Sequence, residues 1–304
     1  MTTTRPTSTQ NLSLEKVLSL FIRLAGYLSV LYVSLICLFL LKEGLPALRE
    51  VEGESLLGRV WYPIEGYFGI LPLLMGSLVV TVGAALIATP LGVSTAVFIS
   101  EVAPQWAKEV LKPLVEILAG IPSVVLGFIG ILVLSPFFRQ AMNLPTGLTA
   151  FTGAVLLGWA AVPTIASISE DALNTVPRAY REAAMALGAT HWQTIWGVTV
   201  PAARSGILTA ITLGLGRVIG ETMAVMMVTG NAPVVPEGLQ ALFLPVRTMT
   251  ATIASEMGEV AKGSTHYHVL FFIGITLFIL SLIFNITAFA LSARKIKRSE
   301  RLLS

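Results

Sequence analysis

Residues 73–100 read LLMGSLVVTVGAALIATPLGVSTAVFIS and contain no charged side chain. A helix of about 20 apolar residues is long enough to cross the hydrocarbon core of a bilayer. The rest of the chain has a similar composition, since 55% of its residues are hydrophobic and only 12% are charged. A soluble domain is usually about a quarter charged. The sequence therefore predicts an integral membrane protein rather than a large globular core.

Six long apolar segments are spaced along the chain, which predicts an all-α protein with six transmembrane helices. The first segment follows basic residues, as a signal peptide does. Its apolar run is longer than a signal sequence requires, and no small-residue cleavage site follows it, so we expect a retained helix. The predicted spans are Leu20–Leu41, Leu73–Ser100, Leu114–Phe138, Leu148–Ser169, Gly206–Thr229 and Val269–Ser292.

The distribution of lysine and arginine indicates the orientation, because cytoplasmic loops carry the excess of basic residues. With both termini cytoplasmic, the inner segments hold 13 of the 20 basic residues and the outer segments hold 6. The last group forms a basic tail, residues 293–304, that suits anionic lipid. The net charge of +3 therefore reflects topology and does not indicate nucleic-acid binding. The single cysteine, Cys37, lies in the first span and is predicted to be a packing residue.

Several motifs of soluble enzymes are absent from the sequence. It contains no GxxxxGK[ST], HExxH or GxSxG, so the chain has no P-loop for ATP. The glycines at residues 214–220 have GxGxxxG spacing and no preceding strand, which argues against a dinucleotide site. His266 and His268 alternate in a predicted outer loop, and two histidines alone favour a solvated loop over a metal site. We expect neither enzyme activity nor a bound cofactor in this chain.

The cytoplasmic segment 170–205, between the fourth and fifth spans, is too patterned to be a simple linker. Pro177 suits the start of a helix, Gly188 suits a left-handed cap, and Pro201 is expected to end a second short helix. Two short helices at an angle, with small side chains on one face, fit a groove on another protein. The alternative is an amphipathic pair that lies on the lipid surface.

This segment resembles the EAA signature of ABC importer permeases, with valines where that pattern has Ile and Leu. The matching residues, in the family's spacing, are Glu182, Ala183, Ala184, Gly188, Val198, Val200 and Pro201. The resemblance implies the type I (MetI-like) permease fold and a coupling segment that docks on a separate ATPase, with Glu182, Ala183, Ala184, Gly188 and Pro201 in that contact. ATP and Mg²⁺ would be bound by the ATPase, which explains the missing P-loop.

A second resemblance concerns the third and fifth spans. Residues 116–127 read EILAGIPSVVLG, residues 213–225 read LGLGRVIGETMAV, and residues 229–232 read TGNA. All three stretches look like phosphate importer permeases of the PstC type. The related PstA permeases usually continue GETAP where this chain has GETMA, which favours the PstC side.

The second resemblance covers residues 73–294 and implies a complex in a prokaryotic inner membrane. The expected partners are a PstA-like permease, a PstB-like ATPase dimer and a PstS-like phosphate-binding protein, which the outer loop 231–268 is placed to meet. We expect a permease core at 73–292. Residues 1–72 would hold an N-terminal tail, the first helix and an external loop.

Arg217 and Glu221 lie in the predicted fifth span, where a charge at the helix centre costs roughly 2.5–3.5 kcal/mol. A pair four residues apart returns only about 0.2–0.5 kcal/mol, and Arg before Glu is the poorer order. Something else must therefore share these charges. Two hypotheses remain open: a transient anion site in the path, or a salt bridge that fixes the packing of helices or subunits.

Phosphate fits this pair chemically. The guanidinium of Arg217 presents a planar fork to two oxygens. Glu221 can accept a hydrogen bond from protonated phosphate but repels sulfate. Thr222 adds a hydroxyl, and Pro122 and Ser123 are candidates for a constriction, with ordinary kinking as the alternative. We expect a phosphate permease; the alternatives are a molybdate or sulfate permease and a membrane scaffold in phosphate sensing.

Overall fold

The computed structural model describes the backbone of residues 9–300, and the side chains of the predicted basic tail lie outside what it describes. Its helices are α1 (Thr9–Gly44), α2 (Ala47–Glu50), α3 (Gly53–Leu56), α4 (Leu71–Val97), α5 (Gln105–Ala119), α6 (Ser123–Ile129), α7 (Ser135–Ala141), α8 (Ala150–Asn174), α9 (Arg178–Ala186), α10 (His191–Thr194), α11 (Val200–Gly220), α12 (Met223–Val228), α13 (Met249–Glu256) and α14 (Thr265–Glu300). An antiparallel hairpin joins β1 (Trp61–Tyr62) to β2 (Tyr67–Phe68).

Six helical segments of the described chain are long and apolar enough to cross a membrane. They are Lys16–Glu50, Leu71–Val102, Ser123–Ala141, Ala150–Asn174, His191–Gly220 and Thr265–Ala288. Three of them contain π-helical turns, at Phe98–Val102, Gly130–Leu134 and Ile195–Thr199. The predicted all-α membrane protein with six transmembrane helices is confirmed.

The third span begins later than predicted. The prediction placed it at Leu114–Phe138, but α5 ends at Ala119 and α6 begins only at Ser123. Pro122 has an extended conformation, with ψ at 135°, and a proline also disfavours helical geometry in the residue before it. The chain therefore breaks at 120–122, and α5 is a separate amphipathic helix in front of the span.

The fifth span differs from its predicted bounds, Gly206–Thr229, at both ends. Helix α11 already begins at Val200, with Pro201 in its first turn. A proline is tolerated there because its missing N–H has no partner in the first turn. The prediction that Pro201 ends a helix is therefore wrong. At the other end α11 stops at Gly220, because Glu221 is extended (φ −69°, ψ 130°) and α12 starts afresh beyond it.

The centre of the fold is the packing of α4 against α8, and α11 packs against both of these helices. Glycines let these helices approach closely. A Cβ added at Gly92 would lie 2.7 Å from the Cβ of Ile165, and one added at Gly158 would lie 3.0 Å from that of Ile87. Helix α1 instead packs along α14 and leaves most of its apolar side chains exposed, as expected for a lipid-facing surface.

The predicted outer loop 231–268 is largely structured. It contains α13, whose residues 249–252 are buried and which contacts α4 and α14. The two histidines lie in the first turns of α14, so the prediction of a solvated loop is wrong. His266 Nε2 is 2.8 Å from Glu256 Oε2, and His268 Nδ1 is 2.8 Å from Glu50 Oε1. Each histidine therefore has a carboxylate partner, from α13 for His266 and from α2 for His268.

Candidate functional site

The side chain of Arg217 links the break after α11 to the break after α5. It lies in the last turn of α11, and its Nη1 donates to the backbone oxygen of Ala119 (3.1 Å) and to Thr164 Oγ1 (3.3 Å). Ala119 is the last residue of α5, where unpaired carbonyls carry the negative end of the helix dipole and favour a cation. The guanidinium is half-buried, so this contact fixes its position beside the break at 120–122.

Glu221 forms its contacts locally rather than with Arg217. Its Oε1 accepts hydrogen bonds from the backbone N–H groups of Thr222 (3.1 Å) and Ala224 (3.3 Å), which caps the start of α12. Its backbone oxygen accepts a hydrogen bond from Thr250 Oγ1 on α13 (3.0 Å). The capping explains the break, because the carboxylate replaces helical hydrogen bonds that α12 lacks at its start.

The site retains unused hydrogen-bonding capacity. In the described part of the chain, neither Nε nor Nη2 of Arg217 forms a hydrogen bond, and neither does Oε2 of Glu221. Among the described residues, the enclosed side-chain polar atoms without a hydrogen-bond partner are Ser169 Oγ, Thr199 Oγ1 and Arg247 Nε. The free atoms of Arg217 and Glu221 are therefore not sealed inside the protein. One cationic fork and one carboxylate oxygen are therefore free to meet a ligand.

The other predicted path residues also lie at the two breaks. Pro122 and Ser123 start α6 just beyond Ala119, and Thr222 Oγ1 donates to the Gly220 backbone oxygen at 3.2 Å. The partners of this group that the sequence did not indicate are Ala119, Thr164 and Thr250. Thr164 carries a weak signal, a hydroxyl beside a mid-span proline. Thr250 carries none, since it lies in what looked like an outer loop.

In the first half of segment 170–205, the helix begins and ends where the sequence predicted. Pro177 precedes α9, and Gly188, with φ at +87°, lies just after it in the left-handed region that favours glycine. Helix α10 begins with a capping box between Thr190 and Gln193. Among the signature residues, Glu182 and Ala183 are exposed and Ala184 is half-buried.

The surface of this segment is apolar as well as exposed. Leu187 is 90% exposed, and Trp192 and Trp196 are more than half exposed. Large apolar side chains gathered on one exposed face are typical of a surface that another molecule covers. This arrangement is compatible with both predicted alternatives, docking on another protein and lying on the lipid surface.

Arg181 anchors α9 to the rest of the protein. Its Nη2 and Nε donate to the two carboxylate oxygens of Glu101, at 2.6 and 3.3 Å. Its Nη1 donates to the Val176 backbone oxygen (2.8 Å) and its Nη2 also donates to that of Leu173 (3.0 Å). The side chain of Glu101 is only 7% exposed. One buried ion pair thus ties α9 to the ends of α4 and α8.

A second ion-pair group holds α5 against α8. Lys112 Nζ donates to Glu170 Oε2 (2.7 Å) and to Asp171 Oδ1 (2.8 Å). These hydrogen bonds raise the pKa of Lys112 above its ordinary value, and the bond to Asp171 has the larger effect, followed by the bond to Glu170. Glu170 is buried whereas Asp171 is exposed. Sequence analysis had placed Glu170 at the start of a cytoplasmic segment, but it lies inside α8.

Residues 88–297 match the family model described as the inner membrane component of binding-protein-dependent transport systems. The chain belongs to this family. The permease is 41% identical over 295 residues to the probable ABC transporter permease protein YqgH of Bacillus subtilis, covering 95% of this chain and 94% of that one. It is 33% identical to the phosphate transport system permease protein PstC of Mesorhizobium japonicum, covering 85% and 84% of the two chains.

Solved structures support the same fold. The permease aligns with an inward-facing MetNI methionine ABC transporter at a TM-score of 0.57 and 22% identity, over 72% of this chain and 93% of that one. It aligns with a bacterial alginate ABC transporter at a TM-score of 0.62 and 16% identity, over 92% and 96%. The protein is therefore a multi-pass inner-membrane subunit of an ABC importer with the MetI-like fold. Such a subunit transports rather than catalyses, and it works with a second permease, an ATPase and a substrate-binding protein.

Proposed function

We propose that this permease is the PstC-type subunit of an ATP-driven importer of inorganic phosphate. The observation that carries the proposal is the pair of unfilled groups at the helix breaks, the Nε and Nη2 donors of Arg217 and the Oε2 acceptor of Glu221. Similarity to several PstC proteins at 31–35% identity supports phosphate as the substrate class.

The chemistry of the two groups matches a protonated oxyanion. The free side of the Arg217 guanidinium can donate two parallel hydrogen bonds to two phosphate oxygens. Glu221 Oε2 then accepts a hydrogen bond from the P–OH group of hydrogen phosphate. Sulfate and molybdate carry no such proton near neutral pH, so the carboxylate repels them. The anchor on Ala119 keeps one donor occupied and limits how tightly Arg217 holds the ion, and transport requires release.

In the proposed complex both termini are cytoplasmic, and a PstA-like permease forms the other half of the path. A PstB-like ATPase dimer binds ATP and Mg²⁺ and receives the segment around Glu182, Ala183, Ala184 and Gly188. A PstS-like protein delivers phosphate from outside. Nucleotide binding closes the ATPases, and the exposed face formed by α9 and α10 carries that motion to the membrane helices by alternating access.

Labelled phosphate uptake tests this proposal in cells that lack their own importers. The parent complex, with its partner subunits, should import phosphate without competition from excess sulfate. Arg217→Ala should abolish uptake while assembly and ATP hydrolysis persist. Arg139→Ala, which removes an exposed arginine beyond α6, is the matched control and should transport normally. Sulfate competition, or phosphate uptake unchanged by Arg217→Ala, would contradict the proposal.

A further inference from the structure

A continuous chain of polar contacts runs from α9 to α5. It begins at the Arg181–Glu101 ion pair. The Ser100 hydroxyl lies 3.2 Å from Glu101 Oε1 and 2.9 Å from Asn174 Oδ1. Asn174 Nδ2 donates to Glu170 Oε1 at 2.5 Å. Glu170 Oε2 then accepts from Lys112, the residue of α5 that ends the chain.

The far end of α5 lies at the candidate substrate path. Lys112 is near the middle of this helix, and Ala119 is its last residue. The backbone oxygen of Ala119 accepts the hydrogen bond from Arg217. Lys112 and Ala119 lie in the same short helix, which is interrupted only by the kink-forming Pro113, so movement of α5 at Lys112 reaches the acceptor that holds Arg217.

The two carboxylates in this polar chain are buried. Glu101 and Glu170 have side chains that are 7% exposed, and burying a carboxylate is costly unless it is paired and hydrogen-bonded. Glu101 is engaged by Arg181, and Glu170 by Lys112 and Asn174. The single proton of the Ser100 hydroxyl is shared between Glu101 Oε1 and Asn174 Oδ1. Packed helices would be held at least as well by apolar side chains of similar volume. Charged hydrogen bonds are directional, whereas apolar contacts are not. The buried ion pairs therefore suit a connection that must keep one defined geometry while it moves.

We propose that this polar chain, named here the Glu101–Glu170 link, transmits nucleotide-driven motion of α9 to α5 and so to the anchor of Arg217. Glu101 and Glu170 are its positioning residues, and Lys112 and Arg181 are their partners. The inference rests on the proposed coupling role of α9 and does not depend on which anion is carried. Transmission of this kind needs a contiguous element whose position both ends bias, and the link supplies one.

Site-specific fluorescence in the full complex tests the inference. In a Cys37→Ser background, one sample carries a label at Ile121→Cys, inside the break beyond α5. A second carries a label at Ala179→Cys, exposed on α9. Both labels should respond when ATP binds to the parent complex. In Lys112→Gln and in Glu170→Gln the response at residue 121 should fall roughly fivefold or more, while the response at residue 179 persists.

The control is Glu116→Gln, which removes an exposed carboxylate from α5 and should leave both responses unchanged. Stimulation of ATP hydrolysis by the loaded binding protein should also be lost in the two link variants while basal hydrolysis remains, an outcome that a merely structural role would not produce. If Glu170→Gln does not assemble, Lys112→Gln decides, because its side chain is 38% exposed and its loss disturbs the core less.

Two outcomes would overturn the inference. A parent-like response at residue 121 in Lys112→Gln would show that α5 moves without the link. A label on α9 that stays silent in the parent complex would remove the coupling role on which the inference depends. Failure of phosphate uptake alone would leave the nucleotide-driven responses intact, so it separates the identity of the substrate from the route of coupling.

Discussion

Arg181 and Arg217 are both half-buried arginines at the ends of helices, yet they use their guanidinium groups differently. Arg181 engages Nε, Nη1 and Nη2, with Glu101 and two backbone oxygens as acceptors. Arg217 engages Nη1 alone, and its acceptors are uncharged. A fully bonded buried ion pair holds a geometry, whereas a partly bonded and reachable charge is available to a ligand. This contrast separates the ion pair that anchors α9 from the candidate substrate site.

The largest expected effect is on stability, and it follows from removing the Arg181–Glu101 ion pair. Arg181→Ala leaves Glu101 buried without its counter-charge, and removing one partner of a buried ion pair costs about 3–5 kcal/mol. We expect a complex that assembles poorly and unfolds at a clearly lower temperature in detergent. Thermal unfolding measures this, with Arg178→Ala as the control, because Arg178 is exposed on the same helix. Equal unfolding temperatures for the two variants would show that the anchor is not needed for stability.

The next effect is on selectivity, at the helix breaks. Glu221→Gln keeps an oxygen that can cap α12 but removes the negative charge. A hydrogen bond that involves a charged group contributes about 1.5–3 kcal/mol, so phosphate uptake should fall by roughly tenfold or more. Sulfate, no longer repelled, should begin to compete in the same uptake assay. The unfolding temperature should change little, in contrast to Arg181→Ala; a large drop would make Glu221 a structural residue.

A smaller effect on phosphate uptake is expected when Arg217 loses its hydrogen bond to Thr164. Thr164→Val replaces the hydroxyl with a methyl group of similar size and removes one acceptor, while Ala119 still holds the guanidinium. The loss of one hydrogen bond, about 0.5–1.5 kcal/mol, should change phosphate uptake by only a few fold. Uptake at saturating and limiting phosphate measures it, and Thr209→Val is the control, since its hydroxyl bonds only within α11. An effect as large as that of Arg217→Ala would mean that Thr164 itself contacts the substrate.

The sequence predicted the six spans and the start and cap of α9, because apolar length, Pro177 and Gly188 are local signals. It failed where tertiary contacts decide the structure. Arg217 and Glu221 were predicted to lie in one continuous span, but the helix ends at Gly220 and Glu221 instead caps the start of α12. The ion pair between Lys112 and Glu170 could not be predicted either, since the two residues are 58 positions apart in the chain and lie in different helices.

The smallest effect concerns the exposed half of the Glu101–Glu170 link. Lys112 is more than a third exposed, so solvent screens its ion pairs and Lys112→Gln should cost less than about 1 kcal/mol of stability. The hydrogen bonds to Asp171 and Glu170 raise the pKa of Lys112. A raised pKa means that the stabilisation is fully present below the pKa of the unfolded chain, about 10.4, and is lost only as the pH rises through the higher folded value. Parent and variant should therefore differ by the same small amount from pH 6 to pH 9 in roughly constant salt. A difference that vanished within that range would mean that Lys112 is not held by these carboxylates, and coupling lost at unchanged stability would assign the residue to motion rather than to packing.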